Sequence, residues 1–221
     1  MIELLVLVGD IWHPEEIIVE GLRFLEEEGY RLEYISDPKD YLMPEMLHDY
    51  PLIINCKGNN LSSGNGAPWY EPGVTEVMGK DFQQYVENGG SFMAVHAANI
   101  ARCTDKSVDD YLEFVGSEFI NHPARCEINI HKVKDHEILE GVADSFMIRD
   151  EHYALKMIAE DADVFLRSTS ETGGNQVAGY TRKLGKGRLC MLVPGHILAV
   201  WNNPEYQKVF LNAVKWCLNT D

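Results

Sequence analysis

The sequence predicts an α/β protein: a flavodoxin-like three-layer sandwich built on a mostly parallel sheet. Three observations carry that expectation. Short apolar runs in the first half lack polar alternation, as strands buried on both faces of a parallel sheet do. Segments with helical apolar spacing separate those runs, which is the βαβ pattern. The fourth run, residues 91–95, follows Asn88-Gly89-Gly90 and ends in His96, flanked by the small Ala97 and Ala98. In open α/β sheets ligands bind beyond the carboxyl ends of strands, and a sharp strand-to-helix turn holds a reactive side chain up at such a place.

The elements follow in order. Residues 2–8 read as a continuous apolar strand, and residues 14–28 as a helix with Ile17, Ile18, Gly21, Leu22 and Leu25 on one face, stopped by Gly29. Residues 31–35 and 51–56 are the next strands. A Gly-, Ser- and Asn-rich loop at 58–73 precedes a helix expected over 74–87. That loop has no phosphate-binding pattern and reads as a rim over a pocket, with Trp69, Tyr70 and Glu71 able to cover a ligand. Further on, residues 126–133 alternate like a strand and 163–168 form another. Residues 176–182 and 188–194 flank Leu184-Gly-Lys-Gly187, a hairpin signal. Residues 205–218 close the chain as a helix with Val209, Phe210, Ala213, Val214 and Cys217 inward. With neither repeat nor linker, a single domain over 1–221 is the economical reading.

Composition narrows the function classes. Nineteen basic residues against 35 acidic ones give a net charge of −16, the wrong sign for nucleic acid or an anionic membrane. The apolar start lacks a basic flank and is too short for a signal segment or a span. Five widely spaced cysteines without a CxxC argue against a disulfide scaffold or zinc ribbon and for reduced thiols in a cytoplasmic protein. Cys190 and Cys217 sit in apolar segments and read as core residues. A homo-oligomer is compatible with the sequence.

The chemistry-bearing residues are histidines placed just after apolar segments. His96 occupies an elbow that usually carries Ser or Cys, which argues against acyl transfer through an elbow nucleophile. Cys103 lies too far past the elbow to replace one. His122 precedes Pro123 on a loop, His152 lies in Asp150-Glu151-His152-Tyr153, and His196 follows Pro194-Gly195. Convergence at one end of the sheet would let them work with Glu151 as acid and base, or ligate a metal. For each, a hydrogen-bonded structural histidine is the competing reading. His48, His131 and His136 read as surface or loop residues. At the end of the first strand, Asp10 and His13 can join the rim, or the region can cap the helix that begins near Pro14.

In order, the segments Gly90-Ser-Phe-Met-Ala-Val-His96, Gly116-Ser-Glu-Phe119 with His122-Pro123, Asp135-His136-Glu-Ile138-Leu-Glu-Gly141, Asp150-Glu151-His-Tyr153, Gly185-Lys-Gly-Arg188, Gly195-His196 and Trp201 with Pro204 resemble the ThuA-like family of trehalose-utilisation proteins. The resemblance implies the fold of class I glutamine amidotransferases with the catalytic cysteine replaced. It implies a role in bacterial metabolism of trehalose or related disaccharides and keto-sugars, with a small sugar as partner. On it, His96, Glu151 and His196 are the expected catalytic groups, and His122, Tyr153 and Trp201 expected substrate contacts; Asp10 and His13 join the substrate contacts from their place after the first strand, where the chain departs from the family pattern. Two alternatives remain open beside acid/base chemistry on a sugar. One is a metal-dependent hydrolase with zinc held by His96, His122 and His196; the other is a non-catalytic sugar-binding or regulatory domain.

Overall fold

In a computed structural model the described residues are 1–60, 75–102 and 109–220. The strands are β1 Ile2–Leu7, β2 Tyr30–Ile35, β3 Leu52–Asn55, β4 Asn59–Asn60, β5 Ser91–Val95, β6 Ala101–Arg102 and β7 Ser117–Asn121. They continue as β8 Cys126–Lys132, β9 Ser145–Asp150, β10 Ala154–Met157, β11 Asp163–Ser170, β12 Gly174–Leu184 and β13 Gly187–Leu192. The helices are α1 Glu15–Glu27, α2 Pro38–Tyr41, α3 Gly79–Glu87, α4 Asp109–Val115, α5 Leu198–Trp201 and α6 Pro204–Leu218. Trp69, Tyr70, Glu71 and Cys103 lie outside the described residues.

One sheet of nine strands runs in the order β2-β1-β3-β5-β13-β12-β11-β8-β9. The expectation of a mostly parallel sheet is corrected here. Pairing is parallel from β2 to β13, and antiparallel at every step from β13 to β9. The cause is local and legible. Leu184-Gly-Lys-Gly187 closes a tight hairpin between β12 and β13, so the chain reverses and the rest of the sheet grows antiparallel. Burial separates the two halves. β3 and β5 are buried at every position, whereas β9 alternates exposed and buried along its length, with one face toward water.

Helices cover both faces of the parallel half, which gives the three expected layers. On one face Leu4, Val6, Ile54, Met93, Val95 and Leu192 meet α1 through Ile18, Leu22 and Leu25, and α6 through Val209, Phe210 and Ala213. On the other, Leu5, Leu7, Ile53, Phe92 and Met191 meet α3 through Phe82 and Val86, and α4 through Tyr111 and Phe114. The alternation of odd and even positions between the two cores is the period-two rule of the strand. Asn203 caps α6 by accepting from the Glu205 and Tyr206 amides, with Pro204 in the first turn. Cys190 and Cys217 are buried core thiols, and Cys56, Cys126, Cys190 and Cys217 are free. No helix among the described residues is long and apolar enough to cross a membrane.

Three features of the second half went unread in the sequence. β7 and β10 form a separate antiparallel ribbon, and β9 completes the sheet edge. Trp201, an expected substrate contact, is buried in the helix-side core against Tyr206 and Phe210. Its Nε1–H donates to the Gly195 carbonyl at 2.9 Å, so it holds the loop before His196 from behind. Gly21 on α1 makes room for it, because a Cβ there would lie 2.5 Å from Trp201 Cγ.

His136 and His152 are fold histidines. His136 Nδ1 accepts from the Ile138 amide at 3.1 Å, and its ring stacks on Phe165. His152 is pinned between the Ser168 and Ser170 hydroxyls at 2.9 and 2.6 Å. Burial pushes both imidazoles below their ordinary value of 6.5.

Two outcomes are expected. Gly21→Ala raises helix propensity yet forces the Trp201 ring to move, so it lowers stability by about 1–3 kcal/mol, read as a reduced melting temperature. The buried neutral histidines bind fewer protons in the fold than in the unfolded chain. Stability is therefore full above about pH 6.5 and declines as pH falls below it. Denaturant midpoints measured across that range should fall with pH, and His152→Gln should flatten the slope. An unchanged slope would contradict the assignment.

Candidate functional site

Four chain segments meet beyond the carboxyl ends of the parallel strands. After β1, the Asp10 carboxylate accepts from the amides of Trp12 (2.8 Å), His13 (3.0 Å) and Gly58 (2.7 Å). The same carboxylate takes the His13 ring at Nδ1, at 2.8 and 2.9 Å. Burial alone would raise the Asp10 carboxyl, but His13 and the amides outweigh it and leave the pKa below its ordinary value. Asp10 is therefore an anion that shapes its own loop and orients a buried imidazole.

After β5, His96 turns out of the sheet at φ +48° into a 3₁₀ turn. This is a left-handed conformation that a side chain adopts only when its surroundings impose it. The His96 Nδ1 lies 2.9 Å from the Val193 carbonyl, an acceptor only, so Nδ1 carries a proton and Nε2 is the nitrogen left to the pocket. After β13, the chain passes through Gly195 at φ +152°, where a Cβ would lie 3.2 Å from that of His96. The amides of Gly195 and His196 then donate to the Asp150 carboxylate at 2.8 and 3.2 Å. Asp150, at the end of β9, is fully buried. Burial raises its pKa against the pull of His96 and these amides.

Glu151 stands at the centre. One oxygen lies 3.2 Å from His196 Nδ1 and 3.6 Å from His96 Nε2, and the other lies 3.6 Å from His122 Nε2. Burial would raise this carboxyl as well, but the His96, His196 and His122 rings overcome it and hold it down at about 2. His196 is pushed down to about 4 by burial and by the neighbouring His96, against the pull of Glu151. At neutral pH the pocket thus pairs an ionised carboxylate with a neutral His196. His122 donates from Nδ1 to the Pro123 carbonyl at 2.8 Å, and its side chain is 32% exposed against 2% for His96. Tyr153 is buried and stacks on His96 with centroids 4.2 Å apart and on His122 at 5.5 Å.

The expected set is thereby sorted. His96, Glu151 and His196 come together, with His122 at Glu151's second oxygen and Tyr153 packed between the rings. His13 comes closer than its expected place on a rim. Its ring centroid is 4.9 Å from His96 and 5.1 Å from His196, and it takes His122's place in the expected metal set. His13, His96, Glu151 and His196 each present one donor atom, all within 4.8 Å of one another. Trp201 stands behind the site and His152 apart from it. Sequence reasoning missed Asp150, although its place at the end of an alternating strand beside Glu151 was a signal. A separate groove of about 770 Å³, lined by Lys134, His136, Asp161, Asp163, Arg182 and Trp216, shares none of these residues. Four of its charges are paired internally, Lys134 with Asp163 and Arg182 with Asp161.

Known proteins agree with this architecture. A thuA-like protein from Bacteroides uniformis superposes with a TM-score of 0.73 at 19% identity, over 98% of this chain and 91% of that one. A protein of Salmonella typhimurium described as cytoplasmic gives 0.64 at 14%, over 98% and 99%. A glutamine amidotransferase from Thermotoga maritima gives 0.56 at 14%, over 99% and 84%. At these identities the likeness is one of fold. Among curated proteins none matches the sequence. The ThuA family, described as trehalose utilisation, matches residues 8–217 and so takes in every segment of the site, and the chain belongs to that family.

Proposed function

We propose that the chain acts on a small carbohydrate, a trehalose-related disaccharide or its keto derivative, by proton transfer at the Glu151 pocket. The observation that carries this reading is the ionised Glu151 in contact with three imidazoles, of which His122 is open to solvent. A neutral imidazole is a competent base near neutral pH, and a fixed carboxylate stabilises the imidazolium that forms when it takes a proton. His122 and His196, the two rings with exposed edge, exchange protons with the substrate. His96, buried and held by Val193, keeps Glu151 and His196 in register. The proton moved is one on a carbon next to a carbonyl, where the negative charge left behind is delocalised onto the carbonyl oxygen. Membership in a trehalose-utilisation family supports the sugar.

Glu151→Gln keeps the shape and removes the charge, and should lower kcat on keto-disaccharides by about 10²–10⁴-fold with little change in melting temperature. His196→Ala should fall in the same range. Undiminished turnover in both variants would overturn the residue assignment. Sugar binding by calorimetry without conversion by NMR would overturn catalysis in favour of a sugar-binding domain.

A further inference from the structure

We propose that His13, His96, Glu151 and His196 form a binding site for one divalent transition-metal ion, with Asp10 and the Val193 carbonyl as its outer supports. It rests on the preceding reading only in placing the ion and the sugar at one site.

The His13 Nδ1 faces the ionised Asp10, and the His96 Nδ1 faces a backbone carbonyl. Both partners accept only, so both rings donate from Nδ1 and leave Nε2 as the inward nitrogen. Metal-bound histidines are held in this way, the outer N–H donated to a carboxylate or carbonyl and the inner nitrogen left free. Each inner nitrogen, His13 Nε2 and His96 Nε2, is buried without a hydrogen-bond partner, and so is His196 Nδ1. Three buried imidazole nitrogens aimed at one carboxylate need a donor that the described residues do not supply. A cation satisfies all of them together.

The geometry suits a single ion. The four donor atoms lie within 4.8 Å of one another. Four ligands at about 2.0–2.2 Å in a tetrahedron around one zinc ion are about 3.3–3.6 Å apart, so the widest pair has to draw in by about 1–1.5 Å. Protonating the rings instead would crowd like charges, because their centroids are only 4.9, 5.1 and 5.5 Å apart. Three imidazoles and one carboxylate favour zinc or a neighbouring first-row ion over magnesium or calcium, which prefer oxygen. Such an ion polarises a carbonyl or acidifies a bound water. His122 is outside the donor group but touches the second Glu151 oxygen, so with the ion bound it, and not the ligand His196, is the ring left for proton transfer.

The test is metal binding, read independently of turnover. Protein purified without chelator is assayed for metal by mass spectrometry. Chelator-stripped protein is then titrated with Zn²⁺ and Co²⁺, following heat, melting temperature and the visible bands of bound Co²⁺. One ion per chain, with the Co²⁺ bands of nitrogen and oxygen ligands, is expected. His13→Gln and His196→Gln should each abolish saturable binding, Asp10→Asn should weaken it about 10–100-fold, and His122→Ala should leave it intact. Absence of saturable binding by the folded wild type, or unchanged affinity in His13→Gln, would overturn the site. The wild-type Co²⁺ spectrum stands even if a variant misfolds. Turnover by metal-free wild type that is lost in Glu151→Gln would reject the ion and keep the sugar chemistry. Metal bound with no sugar converted would do the reverse.

Discussion

The pairing of β5 with β13 is the constraint on which the site depends. The strands run parallel with Leu192 opposite Val95, so both chains leave the sheet at the same level and side by side. His96 follows Val95 directly, and the Val193 carbonyl after β13 is within reach of its ring. The two excursions approach so closely that a Cβ on Gly195 would lie 3.2 Å from that of His96, tighter than an ordinary contact. Core packing thus fixes the imidazoles, because β5 and β13 are held between the helix layers. Each buried aliphatic side chain there contributes roughly 1.5–3 kcal/mol, and the turn of His96 into the left-handed region is held against that scaffold.

Two adjacent acids divide the remaining work. Asp150, fully buried, accepts backbone amides and ties the antiparallel edge strand β9 to the loop after β13. Glu151, one residue on, points at the rings. One carboxylate has its acceptor capacity taken up by the fold, while the other keeps its charge available at the site. Asp10 repeats the arrangement across the pocket, holding its own loop through three amides and turning His13 inward. The antiparallel extension therefore helps to build the pocket: β9 brings Asp150 to the loop after β13, and Glu151 to His96 after β5 and to His196.

Much of this was legible in the sequence, and the rest was hidden for physical reasons. The apolar runs of β1, β3 and β5 carry no alternation because both faces are covered, which is why the parallel half could be read. The hairpin at Leu184–Gly187 was also read, yet its effect on the whole sheet was not, since strand direction beyond a hairpin depends on partners distant in sequence. His96, Glu151 and His196 were found by their position after apolar segments. His13 was placed only at the rim because nothing local shows that Asp10 turns it inward. Trp201 misled: an aromatic beside a site histidine reads as a sugar contact, whereas the notch at Gly21 that buries it is 180 residues away. His152 shares a tetrapeptide with Glu151 but is claimed by two serines from β11.

The fold holds His13 and His96 by their Nδ1 atoms and leaves each Nε2 to the donor group that includes Glu151. Ring-nitrogen NMR of uniformly ¹⁵N-labelled protein titrated with Zn²⁺, correlating ring protons with both nitrogens, reads this directly. With Zn²⁺ bound, His13 and His96 are expected to carry their proton on Nδ1 and to ligate through Nε2. Rings that stay protonated at Nε2, or at both nitrogens, would contradict it.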